Sequence, residues 1–148
     1  MAIHCVNGSS PSQSVLAKET DADPKGSYVY LIERSLNKYI AGKPYKFYII
    51  KDVNLINQSV QSFHNGLPVI YRLKTKNLPG YGAHDTTHYV VGTGYFVAWD
   101  ETGTIRNDVW YNDPNDYRAG CLGEHIISFS TLENAVRKAG DGFFIPGK

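Results

Sequence analysis

The strand pattern from His88 to Trp99 is the feature of the sequence that most restricts the fold. The segment is rich in aromatic and β-branched residues, which favour an extended backbone on a pleated, half-buried surface. The Asp-Glu-Thr-Gly segment at 100–103 predicts a hairpin turn, and a second strand pattern covers about 109–112. We therefore expect residues 88–97 and 109–112 to pair as neighbouring antiparallel strands of a central sheet.

Shorter patterns place most helices before this hairpin. Ser10, Pro11 and Gln13 predict a capped helix start, and the residues before them are expected to be irregular or in a turn. Ser27 and Ser130 are predicted to cap two further helices. We expect helices at 10–19, 27–39, 53–63 and 130–139, and further strands at 45–50, 68–73, 124–129 and, as an edge strand, 142–146. This order predicts an α+β fold, with N-terminal helices and a mostly antiparallel sheet in separate layers.

Length and charge exclude several classes of protein. The chain has 148 residues, which fits one domain over residues 1–148. Fifteen Lys and Arg against fourteen Asp and Glu give a net charge of +1, so nucleic acid is not expected as a partner. The sequence contains no run of about 18 apolar residues, which a membrane-spanning helix would need. The first residues also lack the features of a signal peptide, which fits a cytosolic protein or a recombinant start on a fragment.

His88 and Asp113 are the strongest candidates for a catalytic pair. His88 opens the long strand, so we expect it at a sheet edge facing a loop-lined cleft, and Asp113 can lie beside it. An Asp that accepts a hydrogen bond from one imidazole nitrogen fixes the tautomer and leaves the other nitrogen as a base. Asn112 is an alternative partner. On spacing alone the other interpretation stays open, namely a strand-edge histidine followed in the next strand by an Asp113-Pro114 turn.

Four motifs in a fixed order carry a resemblance to a known family. They are Gly66-Leu67-Pro68-Val69-Ile70, His88-Tyr89-Val90-Val91 with Gly94-Tyr95, Tyr111-Asn112-Asp113-Pro114, and Ser128-Phe129-Ser130-Thr131-Leu132-Glu133-Asn134-Ala135. In these motifs the chain resembles the papain-like cysteine peptidases of the bacterial C39-like type, over most of residues 4–146. The resemblance implies a papain-like fold, a peptide or protein substrate, no cofactor or metal, and a secreted or cell-surface location. It also implies that His88 is the general base and that Asp113 orients it.

The nucleophile is the point at which the sequence departs from that family. The family's cysteine opens a long buried helix, with an oxyanion-hole Gln shortly before it. Cys5 is instead followed by Asn7-Gly8 and Pro11, which cannot form the first turns of a long helix. We therefore expect the nucleophile helix to be absent. The chain is then either the C-terminal part of a larger domain or a relative that has lost its nucleophile.

Loss of that helix would leave apolar sheet surface uncovered, and monomers seldom expose large contiguous apolar patches. We expect a cover from the chain's own first residues, from a second copy, or from a separate polypeptide that carries the nucleophile. Two functions remain: a cysteine peptidase whose nucleophile is missing or supplied from elsewhere, and an inactive peptidase-like binding or structural module. In either case we expect the isolated chain to be inactive, and to be oligomeric or partnered.

The remaining candidates are weaker. Cys121 lies in a loop with no local positive charge to favour a thiolate, so we expect a surface thiol or a disulfide with Cys5. His84 and His88 have the spacing of a helical zinc pair, but their neighbours predict loop and strand. His64 is placed to interact with a helix end. We expect several aromatic side chains to line the sheet core: Tyr89, Tyr95, Trp99, Trp110 and Tyr111.

Overall fold

An antiparallel sheet forms the centre of the structure. The computed structural model describes residues 1–23, 26–76, 78–103, 105–115, 120–140 and 142–147. Within these residues, six strands form one sheet: β1 (Tyr45–Ile49), β2 (Val69–Lys74), β3 (Thr87–Trp99), β4 (Ile105–Asp113), β5 (Gly123–Ser128) and β6 (Gly142–Pro146). Their order across the sheet is β1-β6-β2-β3-β4-β5, and every neighbouring pair is antiparallel.

The β3–β4 hairpin expected from the sequence is confirmed. Tyr95 pairs with Val109, and the pairing continues to the connecting turn. In that turn the amide of Gly103 donates to the carbonyl of Asp100 at 3.0 Å. Together with the helices, this sheet confirms the α+β class.

Five helices in the described part of the chain pack against the sheet. They are α1 (Ala2–Asn7), α2 (Gln13–Glu19), α3 (Val29–Tyr39), α4 (Leu55–His64) and α5 (Phe129–Lys138). Ile70 and Tyr71 are neighbours in β2 and therefore point to opposite faces. Ile70 packs in a cluster with α1, α2 and α3, and Tyr71 in one with α4 and α5. We call the two sides of the sheet the α1–α3 face and the α4–α5 face. In the ranges described above, no helix has the length and hydropathy to span a bilayer.

The first residues are helical, so the prediction of irregular chain there is wrong. α1 buries Ala2 and Ile3 in the cluster on the α1–α3 face, which also contains Leu36. Gly8, at φ 72°, ends the helix, and its amide donates to the carbonyl of His4 at 2.8 Å. A helix this short is unstable alone, so tertiary packing stabilises it. The chain's own first residues therefore cover part of this face.

Three predicted helix caps are also wrong. Ser12, not Ser10, caps α2, and Ser128, not Ser130, caps α5; each hydroxyl accepts an amide of the first turn. α3 has no side-chain cap, so Ser27 does not have its predicted role. In α5 the first helical residue is buried in the core, and this burial places the helix start before the predicted cap.

The strand predicted at an edge, β6, instead lies inside the sheet between β1 and β2. Phe144 pairs with Phe47 of β1 on one side and with Ile70 of β2 on the other. Its first four residues are buried. Pro146 is the last residue of the strand, where a missing amide interrupts the ladder least.

Candidate active site

His88 and Asp113 lie side by side at one end of the β3–β4 pair. Val91 pairs with Asn112, so continuing the register places Asp113 opposite Val90 and on the same face as His88. His88 Nε2 is 2.8 Å from Asp113 Oδ1. Asn112 points to the other face and is not the partner. The proximity expected from the sequence is confirmed, whereas the catalytic roles of the two side chains stay predictions.

Tyr81 and Asn115 complete the surroundings of Asp113. The Tyr81 hydroxyl donates to Oδ2 at 3.0 Å, and the backbone amide of Asn115 donates to Oδ1 at 2.8 Å. The side-chain amide of Asn115 donates in turn to the Tyr81 hydroxyl oxygen at 2.8 Å. The Asp113 side chain has no exposed surface, whereas 24% of the His88 side chain is exposed. Solvent therefore reaches the pair through the imidazole.

The carboxyl group of Asp113 is ionised in this environment. Burial alone raises the pKa of Asp113, because it removes the charged form from water. Hydrogen bonds from His88, the Asn115 amide and Tyr81 outweigh that effect and hold the pKa below its ordinary value. Burial also raises the pKa of Tyr81, so that hydroxyl keeps its proton and remains a donor.

The charge on Asp113 determines which nitrogen of His88 carries the proton. An ionised carboxylate can only accept, so Nε2 donates, and the neutral ring keeps its lone pair on Nδ1. Within the described part of the chain, Nδ1 has no hydrogen-bond partner. An imidazole held in this way can accept a proton from a thiol or a water molecule that approaches Nδ1.

Neither cysteine of the chain is placed to use that base. Cys121 has no exposed surface and packs in the cluster on the α4–α5 face, so the prediction of a surface thiol is wrong. Cys5 is exposed on α1, which packs on the other face, and both thiols are free, so the predicted disulfide is also wrong. Cys5 lies close enough to Tyr45 to affect it electrostatically, and the Tyr45 hydroxyl donates to the carbonyl of Pro68 just before β2.

His88 pairs with Leu73 near the other end of β2. Because each strand residue advances about 3.3 Å, Val69 at the start of β2 and Leu73 are about 13 Å apart. The Cys5 thiol and the His88 imidazole therefore lie at opposite ends of the strand as well as on opposite faces of the sheet.

The other histidines make local structural contacts. The hydroxyl of Thr75 donates to the backbone carbonyl of His84 at 3.1 Å, and among the residues that the structure describes no three potential metal ligands come together. His64 Nε2 is 2.7 Å from the Tyr95 hydroxyl, next to the helix end at which it was predicted. His125 lies in β5, with Nε2 2.6 Å from the carbonyl of Cys121.

The aromatic prediction is correct for some residues and wrong for the tryptophans. Tyr111 is fully buried, and Tyr89 and Tyr95 pack against the two core clusters. Trp99 is 72% exposed and Trp110 is 40% exposed, so neither is a core residue.

Tyr81 and Asn115 are the contacts that the sequence analysis missed. The position of Asn115 had a local signal, because an Asp commonly accepts the amide two residues further on in an Asx turn. Tyr81 had none, since it comes from a glycine-containing loop between β2 and β3 that has no periodic pattern.

An apolar groove on the α1–α3 face ends at the chain neighbours of the pair. It begins beside α1 and ends at Pro114, directly after Asp113, and it includes Tyr89, directly after His88. Most of its other lining side chains are apolar: Ala2, Ile3, Leu16, Ile32, Leu36, Ile70 and Val91.

A helix-covered antiparallel sheet with a His–Asp pair at its strand ends is consistent with a papain-like peptidase. The model of one protein family, described as the Peptidase_C39 like family, matches residues 1–139 of the chain. The chain belongs to this family, and the resemblance found in the sequence motifs is confirmed. No curated protein and no solved structure gives a significant match.

Proposed function

We propose that the chain supplies the base and the orienting residue of a papain-like cysteine peptidase. His88 accepts the proton of a thiol at Nδ1, and the thiolate attacks the carbonyl carbon of a peptide bond. His88 then returns the proton to the leaving amine, and Asp113 holds the ring throughout. The observation that carries this proposal is the accessible His88 ring, with Nε2 engaged by a buried, ionised carboxylate and Nδ1 open.

Under this proposal, neither Cys5 nor Cys121 is the nucleophile. Cys121 cannot meet a substrate because it has no exposed surface, and Cys5 is separated from His88 by the sheet. We assign the nucleophile to a separate cysteine-bearing helix that binds in the groove ending at Pro114 and whose N-terminus extends past the strand ends, where the sheet no longer separates it from His88. An apolar helix face suits this lining, and a cysteine at a helix N-terminus beside an imidazole forms a thiolate readily.

The experiment compares the present chain with the protein expressed from its natural gene, including any coding sequence that flanks these residues. We expect thiol-dependent peptide cleavage only when the nucleophile helix is present. His88→Ala should then lower the rate by about 10²–10⁴-fold. His125→Ala is the matched control and should have little effect, because that imidazole contacts the carbonyl of Cys121 and the Tyr111 ring rather than the His88–Asp113 pair. Cleavage by the present chain that is lost in Cys5→Ala or Cys121→Ala would contradict the assignment.

A non-catalytic binding module is the second candidate. It is favoured by the packing of α1, which already buries Ala2 and Ile3 on the face where a nucleophile helix would be expected. Under this proposal the natural protein has no thiol that reacts with an iodoacetamide probe faster than glutathione does. It also cleaves no member of a peptide library. A rapidly alkylated thiol whose labelling depends on His88 would exclude this candidate.

A further inference from the structure

The hydrogen bonds around Asp113 have a defined direction. An Asn side-chain nitrogen can only donate, so the Tyr81 hydroxyl oxygen accepts from Asn115 and directs its own proton to Asp113. Tyr81 therefore occupies Oδ2 of the carboxylate. His88 and the backbone amide of Asn115 share Oδ1. Because both carboxylate oxygens accept hydrogen bonds, the orientation of the carboxylate plane is fixed, and Tyr81 holds the oxygen that His88 does not contact.

The loop that carries Tyr81 is itself held firmly. The hydroxyl of Thr75 accepts the amide of Thr86 at 3.0 Å, which ties the two ends of the loop together. Next to Tyr81, Gly80 packs so closely on Gly120 that an added Cβ would lie 2.5 Å from the Gly120 carbonyl carbon. Tyr81 is 3% exposed, so its ring is confined by packing as well as by its hydrogen bonds.

We propose that Tyr81 is a positioning residue, which holds Asp113 so that His88 keeps its proton on Nε2 and presents Nδ1 to the nucleophile. This inference rests on the proposed function for its catalytic meaning. Its physical content, the orientation and tautomer of His88, can be measured without any nucleophile. The Tyr81 hydroxyl acts through Asp113, and the Tyr81 ring also lies beside the His88 ring, with ring centroids 6.2 Å apart.

The test uses nitrogen-15 NMR of the His88 ring in the present chain, at a pH at which the ring is neutral, with His88→Ala for assignment. In the native chain the Nε2–H form should predominate, and its proton should exchange slowly with water. Tyr81→Phe keeps the ring and removes the donated hydrogen bond. We expect a smaller Nε2–H fraction and about tenfold or greater acceleration of Nε2 proton exchange, which corresponds to one hydrogen bond to a charged acceptor.

Tyr71→Phe is the matched control. It removes another buried hydroxyl on the same face, which donates to Ser59 Oγ at 2.9 Å, and it should leave the His88 signals unchanged. If Tyr81→Phe does not fold, Asn115→Ala gives a second measurement, because it removes the donor that directs the Tyr81 proton to Asp113 and keeps the backbone amide; a smaller shift of the His88 signals in the same direction is expected. A His88 ring that is unchanged in the folded variant overturns the proposal.

The form that contains the nucleophile separates this inference from the proposed function. There, Tyr81→Phe should lower kcat by about ten- to a hundredfold and leave KM nearly constant. If peptide cleavage depends on His88 but neither kcat nor the tautomer responds to Tyr81→Phe, only the positioning role is wrong. If no form cleaves peptides and the tautomer still responds, the proposed function fails and the positioning of His88 by Tyr81 is supported.

Discussion

The two faces of the sheet differ in how completely they are covered. On the α4–α5 face, α4, α5 and the loops enclose one continuous buried cluster, and Tyr81 and Cys121 belong to it. Exposed apolar side chains on that face lie at the hairpin tip: Val97, Trp99 and Ile105. On the other face, α1, α2 and α3 pack over β1, β6 and β2, while Phe96, Trp110 and Ile126 stay 45%, 40% and 52% exposed. These three point to that face because their strand neighbours pack in the opposite cluster. His88 and Asp113 thus lie on the more completely covered face, and the α1–α3 face has surface for a further segment.

Two phenylalanines give the largest expected contrast between the faces. Phe143 is fully buried on the α4–α5 face, so Phe143→Ala should lower the free energy of unfolding by about 3–5 kcal/mol. Phe96 also lies in a strand, but it is half-exposed, and Phe96→Ala should cost about 1 kcal/mol. Urea unfolding of the two variants measures the difference. Equal losses would mean that the open face is as tightly packed as the closed one.

Two glycines test the close packing beside Tyr81. Gly80 and Gly42 have the same φ of 79°, so an alanine at either position meets backbone strain of about 1–2 kcal/mol. An added Cβ at Gly42 has no atom within 4 Å, whereas at Gly80 it meets Gly120. Gly80→Ala should therefore destabilise the chain by about 1–3 kcal/mol more than Gly42→Ala, as in other overpacked sites. Thermal unfolding shows whether this holds, and similar losses would place the loop further from Gly120.

Acid should destabilise the fold by protonating Asp113, which is buried on the α4–α5 face. Its pKa is lower in the folded chain, so the ionised carboxylate stabilises the fold above the unfolded-state pKa of about 3.9. That contribution is lost as pH falls through the folded-state pKa. The free energy of unfolding, measured in urea from pH 6 to pH 3, should fall more steeply in the native chain than in Asp113→Asn. Parallel curves would contradict the stabilising hydrogen bonds.

Glu19 provides the matching carboxylate on the α1–α3 side. Hydrogen bonds from Lys38 and Tyr39 lower its pKa as well, but the group is partly exposed to solvent. Glu19→Gln should therefore flatten the acid dependence less than Asp113→Asn does, and added salt should remove most of its effect. An effect that resists salt would show a more enclosed site around α2 and α3.

Exposed apolar side chains on the α1–α3 face predict that copies of the chain associate with one another. We expect the native chain to self-associate through Phe96, Trp110 and Ile126, because an apolar strip of this kind is seldom left bare. Trp110→Lys should shift the mass measured by sedimentation towards the monomer and lower the free energy of unfolding by about 1 kcal/mol, as Phe96→Ala does, because the two side chains are similarly exposed. A native monomer at high concentration would show that the open face needs no cover.

The sequence predicted most where the signal was local or periodic. The aromatic and β-branched run of β3 and the turn after Trp99 located the hairpin, and its register then brought His88 and Asp113 together. Helix caps were less certain, because Ser10 and Ser12 each offer a hydroxyl and only packing selects between them. The same ambiguity shifted the start of α5. Tyr81 could not have been predicted, since its contact with Asp113 joins separate parts of the chain through a loop without periodicity.

The place of β6 in the sheet has a consequence for how the protein folds. β6 is the last described strand in the sequence, yet it separates β1 from β2, and Tyr45 pairs with Pro146. During synthesis β1 and β2 therefore emerge long before β6, the strand that joins them. Until β6 is made, the strand edges with which it pairs have no partner. Contacts so distant in sequence slow folding and favour a late, concerted closure of the sheet. A chain stopped before Gly142 would keep the residues of the His–Asp pair but would lack the strand that joins β1 to the rest of the sheet.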